Sequence, residues 1–219
     1  MPQEQEQRFR EQVLVNGEQV ISNEGTIEEL GEKARKQATS SKLKGLTAKG
    51  GTAETVIEVA KFVWDIIKDS KASAATEETT SRVLSVKDTN WENYELAKNF
   101  ASDEITYKLD NFVGVNCYTV KFKVAGTYKA VNPDFGGKWI PNIHVTFSRC
   151  DANIPWVING SAVIDSTYVS NIGTKENPIP QLVLNIKIKT DAKFALNWES
   201  HERTFEFILN GETGVKLIN

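Results

Sequence analysis

The chain carries two histidines, His144 and His201, and two cysteines, Cys117 and Cys150. Hydrolytic triads and zinc centres draw on these residue types, because imidazole exchanges a proton near neutral pH and thiolates or imidazole nitrogens ligate soft divalent metals. Ser200, His201 and Glu202 are contiguous in WESHER, so they cannot converge on one reacting atom, and His144 lies mid-strand on the polar face of NIHVTFS. Both histidines are expected at the surface. Cys117 and Cys150 stand in no metal-ligand spacing and read as two ordinary thiols of a reducing compartment, with a single bridge as the alternative if the protein is exported. Asp134, Asp151, Asp165 and Glu199 are available for a carboxylate pair, yet no spacing singles out two of them. Gly136 and Gly137 in NPDFGGKW read as a turn, because no helix start follows them as a phosphate loop requires. The chain is read as a non-enzyme with no cofactor and no metal.

The elements that would position any site follow from composition and periodicity. With 219 residues, 40% hydrophobic and 25% charged, the chain has enough apolar residues for one good core and a smaller appendage. The net charge of -3 offers no concentrated basic face, so no nucleic-acid partner is expected. MPQEQEQRFREQ has no apolar run behind a basic region, which predicts cytoplasmic synthesis, with any export occurring without a classical signal peptide.

In GGTAETVIEVAKFVWDIIKDSKA, Glu54, Glu58, Lys61, Asp65 and Lys68 recur at steps of four and three, and apolar residues cover the rest of the turn. This pattern predicts a strongly apolar amphipathic helix over 52–70, capped by Thr52. At 1.5 Å per residue it would reach only about 25–30 Å with charges at its middle, so it is not a transmembrane span. It is either core, or a detachable segment that presents Val59, Phe62, Val63, Trp64 and Ile66 to a membrane or a partner. The basic stretch upstream and KASAATEETTS downstream read as tethers.

Further upstream, QVLVNGEQVI predicts a hairpin turning at Asn16 and Gly17, and Thr26 with Glu29 has capping-box spacing at the start of a short helix. From about residue 104 the period becomes 2. EITYKLD, NCYTVKFKVAG, NIHVTFS, PWVINGSAVID, LVLNIKIKT, KFALNW, RTFEFILNG and GVKLI give about eight strands separated by turns. The expected fold is mainly β: an antiparallel two-sheet β-sandwich preceded by a hairpin-plus-helix unit and the apolar helix. The units are 1–40, 41–82 and 83–219. The first is too small to stand alone and is expected on a sheet edge, its own or that of a second copy in a homo-oligomer.

Alternating strand directions place the loop 166–180 and WESHER at one end, gathering Tyr168, Asn171, Trp198 and His201 into a ligand-binding pole suited to a sugar ring or a lipid headgroup. Asn159 and Gly160 are either a hairpin turn or a bulge. A helix and linker followed by a sandwich with aromatics at one end is similar in outline to the actinoporin-like pore-forming proteins, although the tyrosine-rich cluster is missing and the N-terminal unit is extra. The resemblance implies a membrane-active or toxin-like, pore-forming protein with a lipid membrane as partner. The alternatives are a lectin-like carbohydrate- or protein-binding module with a glycan as partner, and a self-assembling structural protein.

Overall fold

The computed structural model describes residues 7–40, 57–73, 79–194 and 197–218. The chain opens with β1 (Phe9–Val15), β2 (Glu18–Gly25) and α1 (Ile27–Ser40). Asn16 and Gly17 take positive φ at the β1–β2 turn, as a two-residue hairpin demands. The capping box closes at the head of α1: Thr26 N donates to Glu29 Oε2 at 3.1 Å and Glu29 N to Thr26 Oγ1 at 3.3 Å.

Six short strands follow: β3 (Ile57–Ala60), β4 (Val63–Lys68), β5 (Lys71–Ala72), β6 (Thr80–Ser85), β7 (Lys98–Ala101) and β8 (Ile105–Asn111). The rest are β9 (Asn116–Tyr128), β10 (Ala130–Asn132), β11 (Gly136–Ala152), β12 (Trp156–Asn171), β13 (Pro180–Phe194), β14 (Asn197–Asn210) and β15 (Gly214–Leu217). They form two antiparallel sheets. One runs β2-β1-β8-β9-β11-β6-β3, with β10 on β11 and β7 on β9; the other runs β15-β14-β13-β12-β4-β5. Their inner faces meet in edge-to-face aromatic pairs, Tyr107–Phe205 at 5.6 Å, Phe122–Phe205 at 5.3 Å and Tyr118–Trp156 at 5.7 Å between centroids. The fold is the expected mainly β, sandwich-like arrangement, with more strands than the periodicity showed and with β9 and β11 to β14 longer than their periodic segments.

The expected helix over 52–70 is not formed in its described part. Residues 57–72 are β3, β4 and β5, and 52–56 lie outside the described residues. Val59, Val63, Ile66 and Ile67 are β-branched and suit a pleated surface better than a helix. Lys61, Asp69 and Ser70 take positive φ, which interrupts helical winding and makes the corners between the strands. β3 joins one sheet through β6 and β4 joins the other through β12, so this segment is stitched into both layers.

Asn159 and Gly160 lie inside the continuous β12 and are not a turn; at the register shift beside them, between Gly160↔Ile67 and Ser161↔Asp65, the extra residue is Ile66 on β4. KFALNW is not a separate strand: Lys193 and Phe194 end β13 and Asn197 and Trp198 begin β14, with 195–196 outside the described residues. WESHER is likewise the first turnless stretch of β14 and not a loop.

The hairpin docks in cis. β1 pairs along its length with β8, from Phe9↔Asn111 to Val15↔Ile105, and α1 then packs against β14. β15 pairs only with residues 207–210 of β14, and α1 packs beside the rest of that strand, with Gly31 next to His201 and Gln37 bonded to Arg203.

Close approach is required at Gly126, on β9. A Cβ there would overlap the Asn142 carbonyl oxygen of β11 and lie 2.9 Å from the Phe100 ring. Gly126→Ala is expected to cost at least about 2 kcal/mol by overpacking, measured as a lowered urea midpoint with unchanged m-value.

Candidate functional site

The four residues expected at one pole are split between two ends. β13 runs uninterrupted from Pro180, which pairs with Asn171, to Lys193, which pairs with Trp198. One reversal separates the two groups instead of two, so Tyr168 and Asn171 lie at one end and Trp198 and His201 toward the other. Asn171 is fully used in shaping its own loop: its Oδ1 accepts from Gly173 N and Ile179 N, each at 2.9 Å, and its Nδ2 donates to Thr174 O at 3.0 Å. Tyr168 is half-buried on β12.

The membrane or partner set is divided as well. Phe62 and Val63 are exposed, Val59 packs half-buried against the core, and Trp64 and Ile66 are buried. Val59 lies on β3 of one sheet, Val63, Trp64 and Ile66 on β4 of the other and Phe62 in the corner between them, so the five share no common face.

His201 is not a surface residue; its side chain is fully buried. Glu11 on β1 projects inward from the facing sheet, also fully buried, and its Oε1 lies 3.0 Å from His201 Nε2 while its Oε2 accepts from Arg203 Nη1 at 3.0 Å and from Asn23 Nδ2 at 3.0 Å. Arg203 Nη2 continues to Gln37 Oε1 on α1 at 3.0 Å. Burial opposes ionisation of Glu11, but the His201 hydrogen bond, the Arg203 charge and the Asn23 hydrogen bond overcome it and bring its pKa down to about 2. Glu11 is therefore the acceptor and His201 Nε2 carries the proton of that bond, while Nδ1 is buried with no partner among the described residues. Below the cluster Tyr118 Oη donates to Tyr107 Oη at 2.9 Å, and burial raises both phenols. These groups tie β1, α1 and β14 together and touch no exposed nucleophile. Among the described residues there is no group of His, Cys, Asp and Glu arranged to hold a metal, and Cys117 and Cys150 are free thiols with pKa raised to about 11 by burial.

Two surfaces stand out at the Trp198 end. The first is an apolar pole. Phe112, Val113 and Val115 in the β8–β9 turn and Ile154 in the β11–β12 loop are 57–98% exposed. Their backbones are held firmly: Val115 N donates to Asn111 Oδ1 at 2.8 Å, Phe112 N to Arg8 O at 3.1 Å, and Asn153 N to Cys117 O at 2.9 Å. Beneath them Phe9, Trp156 and Phe194 pack ring to ring at 5.6–6.4 Å. Rigid loops thus hold large apolar side chains out in water, which soluble surfaces rarely do without a use. No sequence signal was read here; FVGV and NIP, each bracketed by strand periodicity, were available to find it.

The second surface is a groove of about 660 Å³ between α1 and β14, lined by Ile27, Glu28, Gly31, Arg35, Trp198, Glu199, His201 and Glu202 among others. It brings together the two members of the expected pole that share an end. Trp198 is 70% exposed, with the Lys193 ammonium 5.6 Å from its ring centroid. Glu199 Oε2 is buried without a partner, and that burial raises the pKa of its carboxyl. In comparison with protein-family models, curated proteins and solved structures, nothing matches this chain.

Proposed function

We propose that this protein is a non-enzymatic β-sandwich that binds lipid membrane surfaces through the pole formed by Phe112, Val113, Val115 and Ile154. The observation that carries this reading is the projection of four large apolar side chains from two convex, hydrogen-bonded loops at one end of the molecule. A convex tip enters an interface between headgroups and acyl chains, whereas a protein partner would need a complementary cavity. Arg8 and Lys193, both exposed near this end, favour an anionic headgroup layer. No described helix is long and apolar enough to cross a membrane. The reading stops at surface binding, because the helix that would have carried pore formation is three strands in its described part.

The test is co-sedimentation with vesicles of phosphatidylcholine and phosphatidylserine. The wild-type chain is expected to partition with them, more so as phosphatidylserine rises. The combined change Phe112→Ser, Val113→Ser and Ile154→Ser should weaken partitioning by more than about tenfold, with the circular dichroism spectrum unchanged. Equal partitioning by the variant, or none by the wild type at any composition, rules the reading out. A glycan reading rests on one observation, the exposed Trp198 ring, and requires glycan-array signal that Trp198→Ala removes.

A further inference from the structure

The α1–β14 groove lies beside the apolar pole but is a separate surface, and its chemistry is one-sided. Two side-chain atoms of its lining residues are buried without partners, Glu199 Oε2 and His201 Nδ1. With Nε2 donating to the ionised Glu11 carboxylate at 3.0 Å, the neutral form of the imidazole offers Nδ1 as a second acceptor. Nδ1 faces Gly31 on α1, where no side chain intervenes; a Cβ at that position would sit 3.6 Å from Nδ1. Buried acceptors without partners are a standing cost that a donor group relieves.

The charges agree. Glu28, Glu199 and Glu202 line the groove with no cation in ion-pair contact among the described residues, while Lys189 is held by Asp191 at 3.3 Å and Arg35 has a partner of its own. Trp198 presents an exposed indole that already receives one ammonium, that of Lys193. A carboxylate or phosphate ligand would meet bare acceptors and unpaired carboxylates. A sugar would supply donors but would leave the charge unanswered.

We propose that this groove binds a small organic ammonium ion, its cation against the Trp198 ring and its N–H groups donating to Glu199 Oε2 and, through a small displacement of α1 at Gly31, to His201 Nδ1. The groove volume of about 660 Å³ falls in the ordinary range for small-molecule sites. An alkylammonium reaches it either as a free polyamine or as a lysine side chain of a peptide.

Calorimetric titration of the full chain with spermidine, with glycyl-lysyl-glycine amide, with tetramethylammonium and with glucose tests this. Spermidine or the peptide should bind with Kd below about 1 mM, and the stronger of the two identifies the source. Tetramethylammonium, which keeps the ring contact but cannot donate, should bind at least about fivefold more weakly. Glucose should give no heat. Trp198→Ala and Glu199→Gln should each weaken amine binding by about fivefold or more. The decisive variant is Gly31→Ala. Its methyl makes ordinary contact with His201 and suits a helix interior, so the thermal midpoint should hold or rise, while the methyl covers Nδ1 and amine binding should fall. Absence of heat with either amine at 10-fold excess over about 1 mM, equal binding by Gly31→Ala and wild type, or tetramethylammonium equal to the primary amines overturns the proposal. None of these outcomes involves vesicles, so the membrane reading stands or falls separately.

Discussion

Glu11→Ala is expected to destabilise the protein by about 3–5 kcal/mol at pH 7, enough to consume much of the stability of an ordinary domain. The loss of the carboxylate is only part of the effect. Its removal leaves the Arg203 guanidinium, 6% exposed at its side chain, and the buried His201 imidazole without the anion between them. A buried cation without a counter-charge costs far more than the pair itself contributes. The comparison that isolates this is a combined change, Glu11→Leu with Arg203→Met and His201→Phe. Apolar groups of similar volume in place of the whole cluster should recover most of the lost stability, and urea denaturation of the two variants measures the difference. If the single and combined variants fall equally, the cluster is not the electrostatic unit described.

The same cluster sets an acid limit. The folded pKa of Glu11 is depressed from 4.5 to about 2, so its contribution is complete above the unfolded value and is lost as pH falls through the folded one. The depression corresponds to about 3 kcal/mol. Wild-type stability should therefore decline between pH 4.5 and 2 by that amount relative to Glu11→Gln, which has no carboxyl to protonate. Parallel pH profiles for the two proteins would show that Glu11 is not held ionised.

Much of this was readable in the residues themselves. Asn16 and Gly17 demand positive φ and Thr26 and Glu29 reciprocate across one turn, so the hairpin and the start of α1 were legible. Alternation in NCYTVKFKVAG and LVLNIKIKT gave β9 and β13 their inner and outer faces. The buried cluster was written in the same parity. Glu11 shares its face with Phe9 and Val13, and His201 and Arg203 share theirs with Phe205 and Phe207, so each polar residue stands where alternation puts the core. Reading WESHER as a loop hid that signal. The placement of the ends turned on one reversal, because a strand boundary inside KFALNW is not marked by glycine, proline or asparagine before residue 197. The described part of the expected helix over 52–70 is strand for a different reason. Glu58, Lys61, Asp65 and Lys68 fit helical steps, yet they also fit two short strands joined at a positive-φ corner at Lys61, and only pairing with β6 and β12 decides between these.

That segment yields the sharpest separation between neighbouring residues. Trp64→Ala is expected to cost about 3–5 kcal/mol, while Phe62→Ser should change stability by no more than about 0.5 kcal/mol. Trp64 on β4 pairs with Ala162 of β12 and belongs to the buried core, whereas Phe62 precedes the strand and is 44% exposed. On an amphipathic helix the two would stand about 200° apart, on the two flanks of a broad apolar surface; here Phe62 lies in the corner between Lys61 and β4, so in spite of the spacing of two it does not share the inward face of Trp64. Trp64 Nε1 is buried with no acceptor among the described residues, so Trp64→Phe removes an unsatisfied donor together with some packing and should be much milder than Trp64→Ala. Chemical denaturation of the three variants gives the order. Equal destabilisation by Phe62→Ser and Trp64→Ala would mean that residues 62 and 64 share one buried environment and that the corner before β4 is not as described.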